Sequence, residues 1–167
     1  TGADGAIYVA GSTRGDLDGQ TNSFRDDLDG RFDTGREDPF ISKFNADSSI
    51  DWTRLLGSDI NSALAVTNGS DGSIYISGTR GGYGDYKDLY ISKLNSDGSK
   101  EWIRDSDLNL DPSDPLSVFG ITSSADGSIY ITGSKSAEIG VHKTNSGLDA
   151  FISKFNDNIS AINENIN

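Results

Sequence analysis

The feature that most constrains the fold is an internal repeat that occurs three times in 167 residues. A nine-residue element begins at Asp4, Asp71 and Asp126, and its copies read DGAIYVAGS, DGSIYISGT and DGSIYITGS. A second element follows each copy and reads FISKFN at residues 40–45, YISKLN at 90–95 and FISKFN at 151–156. Self-similarity at this spacing predicts stacked copies of one supersecondary unit.

Two further elements complete the repeat. One reads DWTR at residues 51–54 and EWIR at 101–104, and the other reads ALAVT at 63–67 and, more loosely, SVFGIT at 117–122. All the elements are short, rich in β-branched and aromatic residues, and bounded by Asn, Asp, Gly and Ser, which predicts strands without helices. The glycine in each Asp-Gly turn supplies the positive φ of a short hairpin. Four consecutive antiparallel strands per repeat are typical of a β-propeller blade.

The repeats divide the chain into about three predicted blades. Blade 1 covers residues 1–61, lacks its first strand and carries a long acidic loop; blade 2 covers 62–115; blade 3 covers 116–167 and has a weak last strand. Residues 74–76, Ile-Tyr-Ile, are apolar on both faces, as a sheet packed between two others requires. Because the smallest closed propellers have roughly four blades, we expect an incomplete propeller or part of a larger one. Its open edges predict pairing with further blades of a longer parent chain, which we favour, or with other copies.

These elements resemble the bacterial β-propeller repeat known as SBBP, and the resemblance covers nearly the whole chain. The segment GDLDGQTN at residues 15–22 is similar to versions common in cyanobacterial proteins. The resemblance implies a repeat module of a large exported or cell-surface bacterial protein, from a family usually without assigned chemistry. We therefore expect an extracellular or cell-surface location, to which the polar, cysteine-free composition is suited.

Charge and composition exclude several classes of function. The 26 Asp and Glu against 14 Lys and Arg give a net charge of −12, which argues against a nucleic-acid partner and against a polybasic lipid anchor. No apolar run is long enough for insertion into a membrane. The absence of cysteine and the single histidine, His142, leave little for thiolate, charge-relay or histidine-metal chemistry. The sequence leaves enzymatic activity undecided and favours a protein that is not an enzyme.

Two copies of Asp-Leu-Asp-Gly in the first long loop are candidate calcium sites. Carboxylates two residues apart, a glycine and then another oxygen ligand resemble part of a calcium loop, although neither copy has the distal Glu. The alternative is a solvated acidic turn capped by Asp side chains. The candidate ligands are Asp16, Asp18, Asn22, Asp27, Asp29 and Asp33. A further acidic run at residues 105–114 is a weaker candidate, because Pro112 stands where a positive φ is needed.

The connections between strands predict a binding face. Alternate turns share one end of a blade and are nearly identical, whereas the connections at the other end vary from residues 13–39 to 80–88 and 135–149. Because function concentrates on loops carried by a rigid scaffold, we predict binding at the variable end. Its candidates are Tyr83 and Tyr86, for stacking on a sugar or a protein partner, and His142; the alternatives are loop packing for the tyrosines and a solvated histidine.

Side chains present in several repeats are expected to belong to the scaffold. Trp52 and Trp102 are predicted to pack between blades, and Lys43, Lys93 and Lys154 to extend along the sheet with their amines in solvent. Three functional classes remain open. They are a calcium-stabilised scaffold or binding module for a protein or glycan ligand, a fragment of a metal-dependent propeller hydrolase, and a purely structural self-assembling element.

Overall fold

The protein is all-β, as the sequence predicts. The computed structural model describes residues 2, 5–23, 37–57, 62–80, 88–105, 116–135, 149–156 and 159–164. Of these residues 68% lie in strands and none in a helix. Accordingly, no helix in these ranges is long and apolar enough to cross a membrane.

The strands form three antiparallel sheets, one for each copy of the repeat. Sheet 1 contains β1 (Ile7–Thr13), β2 (Asp38–Phe44) and β3 (Ile50–Leu55). Sheet 2 contains β4 (Ser62–Asn68), β5 (Ile74–Arg80), β6 (Asp88–Leu94) and β7 (Lys100–Asp105). Sheet 3 contains β8 (Leu116–Ser123), β9 (Ile129–Lys135), β10 (Asp149–Asn156) and β11 (Ile159–Glu164). Strands that follow one another in the chain are neighbours in each sheet, so every sheet is a simple meander.

A single kind of hairpin loop recurs at one end of the sheets. It occurs at residues 2–6, 45–49, 69–73, 95–99 and 124–128. In each copy the main-chain N–H of the first residue donates to the carbonyl of the fifth residue, and the main-chain N–H of the fourth residue donates to the carbonyl of the first. The fourth residue has a positive φ, for example 82° at Gly72, 81° at Gly98 and 82° at Gly127. The predicted use of glycine is therefore confirmed. We call this end of the sheets the turn end and the opposite end the loop end.

The core lies between the sheets, because sheet 2 buries both of its faces. We define the leading face of a sheet as the side that carries the first and third residues of the Ile-Tyr-Ile element, and the trailing face as the other side. The leading face of sheet 2 packs against the trailing face of sheet 1, and their shared core contains Ile41, Leu56, Ala63, Ile74, Ile76, Tyr90 and Leu94. The leading face of sheet 3 packs against the trailing face of sheet 2, with a core of Tyr75, Leu89, Ile91, Leu116, Val118, Ile129, Ile131, Phe151 and Phe155. The alternation of Ile74, Tyr75 and Ile76 thus supplies both cores.

The first strands of sheets 2 and 3 are irregular where they meet a glycine. The register of β4 on β5 shifts beside Gly78, and the register of β8 on β9 shifts beside Gly133. These bulges bring a backbone carbonyl of the first strand against the α-carbon of each glycine. In the described residues of sheet 1, no strand pairs with β1 on the side away from β2.

Candidate functional site

The first Asp-Leu-Asp-Gly copy, at the loop end, folds as a tight turn. Leu17 and Gln20 exchange two main-chain hydrogen bonds of 3.0 and 2.9 Å. Asp18 and Gly19 between them have φ angles of 49° and 74°, as a two-residue hairpin turn of type I′ requires. The turn itself therefore explains the Asp-Gly pair, because Asp and Gly both tolerate the positive φ that its two central residues require.

Two of the predicted calcium ligands close this turn on itself. Asp16 Oδ1 accepts a 2.9 Å hydrogen bond from the Asn22 main-chain N–H. The Asn22 side-chain amide, which is 2% exposed, donates to the Thr13 carbonyl at 3.0 Å. The described residues include no group of three or more His, Cys, Asp or Glu side chains placed to hold a metal ion. The first copy is therefore a turn capped by the Asp16 side chain, the alternative that the sequence offers to a calcium site.

Gln20 carries this turn onto the edge of sheet 1. Its Oε1 accepts a 2.9 Å hydrogen bond from the Leu55 N–H, and its Nε2 donates to the Thr53 carbonyl. Both backbone groups belong to β3, the outer strand of the sheet, so the side-chain amide pairs with β3 as a neighbouring strand would. Sequence reasoning missed Gln20, because nothing near it in the chain signals contact with residues more than thirty positions away.

A buried carboxylate holds the other end of the first long loop. Asp38, at the start of β2, is fully buried, and it accepts hydrogen bonds of 2.6 Å from the main-chain N–H and the hydroxyl of Ser23. On the surface beside it, Arg14 and Glu37 form an ion pair of 3.0 Å. Asp38 was also missed, although the repeat contains a signal: the strands β2, β6 and β10 all begin with Asp.

The turn end carries aspartates that are ordered by their own turns. Ser49 and Ser99 each donate from the hydroxyl, at 2.6 Å, and from the main-chain N–H, at 3.0 and 2.9 Å, to the aspartate two residues earlier. These hydrogen bonds hold the pKa of Asp47 and Asp97 below its usual value. The N–H of Ser128 does the same for Asp126. For Asp71, partial burial opposes ionisation, but the hydrogen bonds from Ser73 and the charge of Lys93 outweigh it and lower its pKa.

We expect these turns to make the protein sensitive to acid. A carboxyl whose pKa is lower in the folded state stabilises the fold above its unfolded pKa, about 3.9, and loses that contribution as the pH falls through the folded value. The free energy of unfolding, measured by urea titration, should therefore fall below about pH 4. The double change Asp47→Asn and Asp97→Asn should make that fall shallower. Equal slopes in the parent protein and the double variant would contradict the assignment.

The repeated tryptophans and lysines lie within the scaffold. Trp52 and Trp102 border the two cores and meet Tyr8 and Tyr75 in tilted ring contacts, each with centroids 6.2 Å apart, so the predicted packing role is confirmed. The prediction of solvated amines is wrong for Lys93, which is 6% exposed. Its Nζ lies 3.7 Å from Asp71 and 3.5 Å from Glu101, because burial of the stem requires nearby carboxylates to balance the charge.

A cleft of about 250 Å³ lies at the turn end between the first hairpin loops of sheets 2 and 3. Its lining consists of Gly69, Ser70, Asp71, Tyr75, Ser123, Ala125, Asp126, Gly127 and Ile129. Its two carboxylates already accept hydrogen bonds from Ser73 and Ser128 within their own turns. The variable loops predict binding at the opposite end of the sheets, and no sequence motif indicates this cleft.

The remaining sequence-based candidates lie outside the described residues. They are Asp27, Asp29 and Asp33 of the second Asp-Leu-Asp-Gly copy, and Tyr83, Tyr86 and His142 of the later loops. Of the three predicted calcium ligands that the structure describes, Asp16 and Asn22 are joined by the hydrogen bond described above.

No family model matches this sequence, and no curated protein matches it either.

Proposed function

We propose that this chain is a non-catalytic β-propeller repeat module of an exported or cell-surface bacterial protein, and that it binds a protein or carbohydrate through its loop end. The observation that carries the proposal is the contrast between the two ends. The five hairpin loops described at the turn end share one hydrogen-bond pattern, whereas the connections at the loop end differ from repeat to repeat in length and composition. A constant scaffold with variable loops is typical of binding modules.

The propeller arrangement has support from the packing of the sheets. The first strands of sheets 2 and 3, β4 and β8, lie beside one another, as inner strands of neighbouring blades do. The strand β1 corresponds to β5, and it lies beside β4 as β5 lies beside β8. We assign residues 1–61, 62–115 and 116–167 to three successive blades. The location outside the cell is supported by the resemblance of the repeats to the SBBP type and by the polar composition.

Calcium is the ion we propose to stabilise the long first loop. Asp16 is engaged by Asn22 in the turn at residues 16–22, so the second copy, with Asp27, Asp29 and Asp33, is the better candidate for the ligands. Calcium prefers several oxygen ligands on a flexible chain and loses its water more readily than magnesium does.

A loop exchange tests whether the first long loop is separable from the scaffold and whether it carries the calcium. Residues 24–36 are replaced by a Gly-Ser linker, which leaves Gln20, Ser23 and Asp38 in place. We expect the far-ultraviolet circular dichroism of this variant to match that of the parent protein, and its Tm in a chelator to stay within a few degrees of the parent value. Millimolar calcium should raise the Tm of the parent protein by several degrees, because binding to the folded state alone stabilises it.

The matched variants separate the scaffold from the metal. The loop exchange and the pair Asp27→Asn with Asp29→Asn should abolish the calcium shift, whereas Asp16→Asn with Asp18→Asn should retain most of it. An exchange that unfolds the protein would contradict the division into scaffold and loop. If calcium leaves the Tm of the parent protein unchanged, the proposal of a calcium site is refuted, whereas the proposal of a binding module is unaffected.

A further inference from the structure

Equivalent residues of the three sheets differ sharply in exposure. On the leading face of sheet 2, Ile74 and Ile76 are both 0% exposed, because sheet 1 covers them. Ile129 and Ile131 of sheet 3 are 2% and 0% exposed under sheet 2. The corresponding residues of sheet 1, Ile7 and Val9, are 44% and 42% exposed.

The exposed leading face of sheet 1 has the side chains of a core. Ile7 pairs with Phe44 and Gly11 with Phe40 across the β1–β2 ladder, so both phenylalanines lie on the same side as Ile7 and Val9. The same positions in sheet 3 are occupied by Phe155 and Phe151, which are 6% and 7% exposed. This face therefore carries the same kind of apolar side chains as the covered leading faces of sheets 2 and 3, but none of the described sheets packs against it.

At the other end of the stack, a trailing face is also uncovered. Ile152 of β10 is 36% exposed, whereas its counterparts Ile41 in sheet 1 and Ile91 in sheet 2 are both 0% exposed. Ile41 and Ile91 are buried because their trailing faces meet the next sheet. One chain thus presents the two halves of an interface that it forms twice internally.

We propose that a second copy of this chain covers the leading face of sheet 1 with the trailing face of its own sheet 3. This inference deepens the proposed scaffold role and rests on it. The two internal interfaces, sheet 1 with sheet 2 and sheet 2 with sheet 3, are the template for the contact. The contact is heterologous, so a dimer retains one free leading face and one free trailing face, and longer assemblies or a closed ring follow at high concentration.

The charge of the chain sets the conditions under which association appears. Each copy carries a net charge of −12, so two copies repel one another at low ionic strength. Salt at about 0.15 M shortens the Debye length to about 8 Å and weakens this repulsion, while the apolar contact is retained. Association should therefore strengthen between low salt and 0.15 M.

Sedimentation velocity of the whole chain between about 1 µM and 1 mM tests the proposal, since weak and moderate affinities fall in this range. We expect the average sedimentation coefficient to rise with concentration. Val9→Glu on the leading face and Ile152→Glu on the trailing face should each weaken association at least tenfold. Leu64→Glu is the matched control, because Leu64 is 49% exposed in the bulge of β4 and belongs to sheet 2, which supplies neither end face.

A mixture of the two variants makes the test specific for a head-to-tail contact. The Val9→Glu copy keeps its trailing face and the Ile152→Glu copy keeps its leading face, so an equimolar mixture should form dimers and nothing larger. Circular dichroism confirms that each variant is folded. A parent protein that stays monomeric to 1 mM overturns the proposal, as does a dimer sensitive to Val9→Glu alone, which indicates symmetric pairing of leading faces. Neither result bears on the loop exchange, which tests the division into scaffold and loop.

Discussion

Replacing Gly78 with alanine is expected to destabilise the protein by about 3 kcal/mol or more, at the upper end of what overpacking costs. An alanine Cβ at this position would lie 1.9 Å from the Ser62 carbonyl oxygen and 3.0 Å from the Tyr90 ring. The Tyr90 hydroxyl already donates to that same oxygen at 3.0 Å, so β4 has no room to retreat without breaking a buried hydrogen bond. Urea titration of the free energy of unfolding measures the effect.

The other repeats provide controls for the same substitution. Gly133→Ala should be comparably harmful, because its Cβ would lie 2.1 Å from the Ser117 carbonyl oxygen. At Gly11 the three nearest atoms all belong to the Phe40 ring, at 3.0, 3.1 and 3.9 Å. A side chain can shift where a strand cannot, so Gly11→Ala should cost less than about 1 kcal/mol. Equal losses at all three positions would contradict the explanation from strand crowding.

The second large effect is expected at the buried isoleucine between sheets 1 and 2. Ile74→Ala removes a side chain that is 0% exposed and should cost about 2–5 kcal/mol, the usual range for this truncation in a core. Ile7→Ala makes the same change at the equivalent position of sheet 1, where the side chain is 44% exposed. It should cost less than half as much.

The comparison is made at low micromolar protein, so that association does not cover Ile7. Urea titrations of the two variants and the parent protein give the difference directly. If Ile7→Ala proved as harmful as Ile74→Ala in dilute solution, β1 would be covered within a single copy, and the description of sheet 1 as an end of the stack would be wrong.

Local features were predictable from the sequence. The strands at Ile7, Ile74 and Ile129 depend on β-branched and aromatic residues within a few positions, and four of the five hairpin loops contain an Asp-Gly pair within five residues. The burial of both faces of sheet 2 was also readable, because Ile-Tyr-Ile places apolar side chains on both sides of a strand.

The candidate site was predicted less well, because its contacts join residues that are distant in the chain. The acidic pattern at Asp16 predicted a metal ligand or a capped turn, and the hydrogen bond to Asn22 corresponds to the turn. The sequence predicted a solvated Lys93, yet this residue of β6 is buried, and its amine lies between Asp71 of the hairpin loop 69–73 and Glu101 of β7. The position of the amine therefore depends on two strands and a hairpin loop at once.

The sequence by itself determined the repeat, the strands, the hairpin loops and the apolar character of each face, since these depend on short-range backbone preferences and on the two-residue period of a strand. Only the tertiary structure decided how the same residues differ from sheet to sheet. Ile7 and Ile74 are isoleucines at the same position of the repeat, but a neighbouring sheet covers Ile74 and not Ile7. The hydrogen bonds of Gln20 with Leu55 and of Asp38 with Ser23 likewise join residues that are 35 and 15 positions apart, and no local preference encodes such contacts.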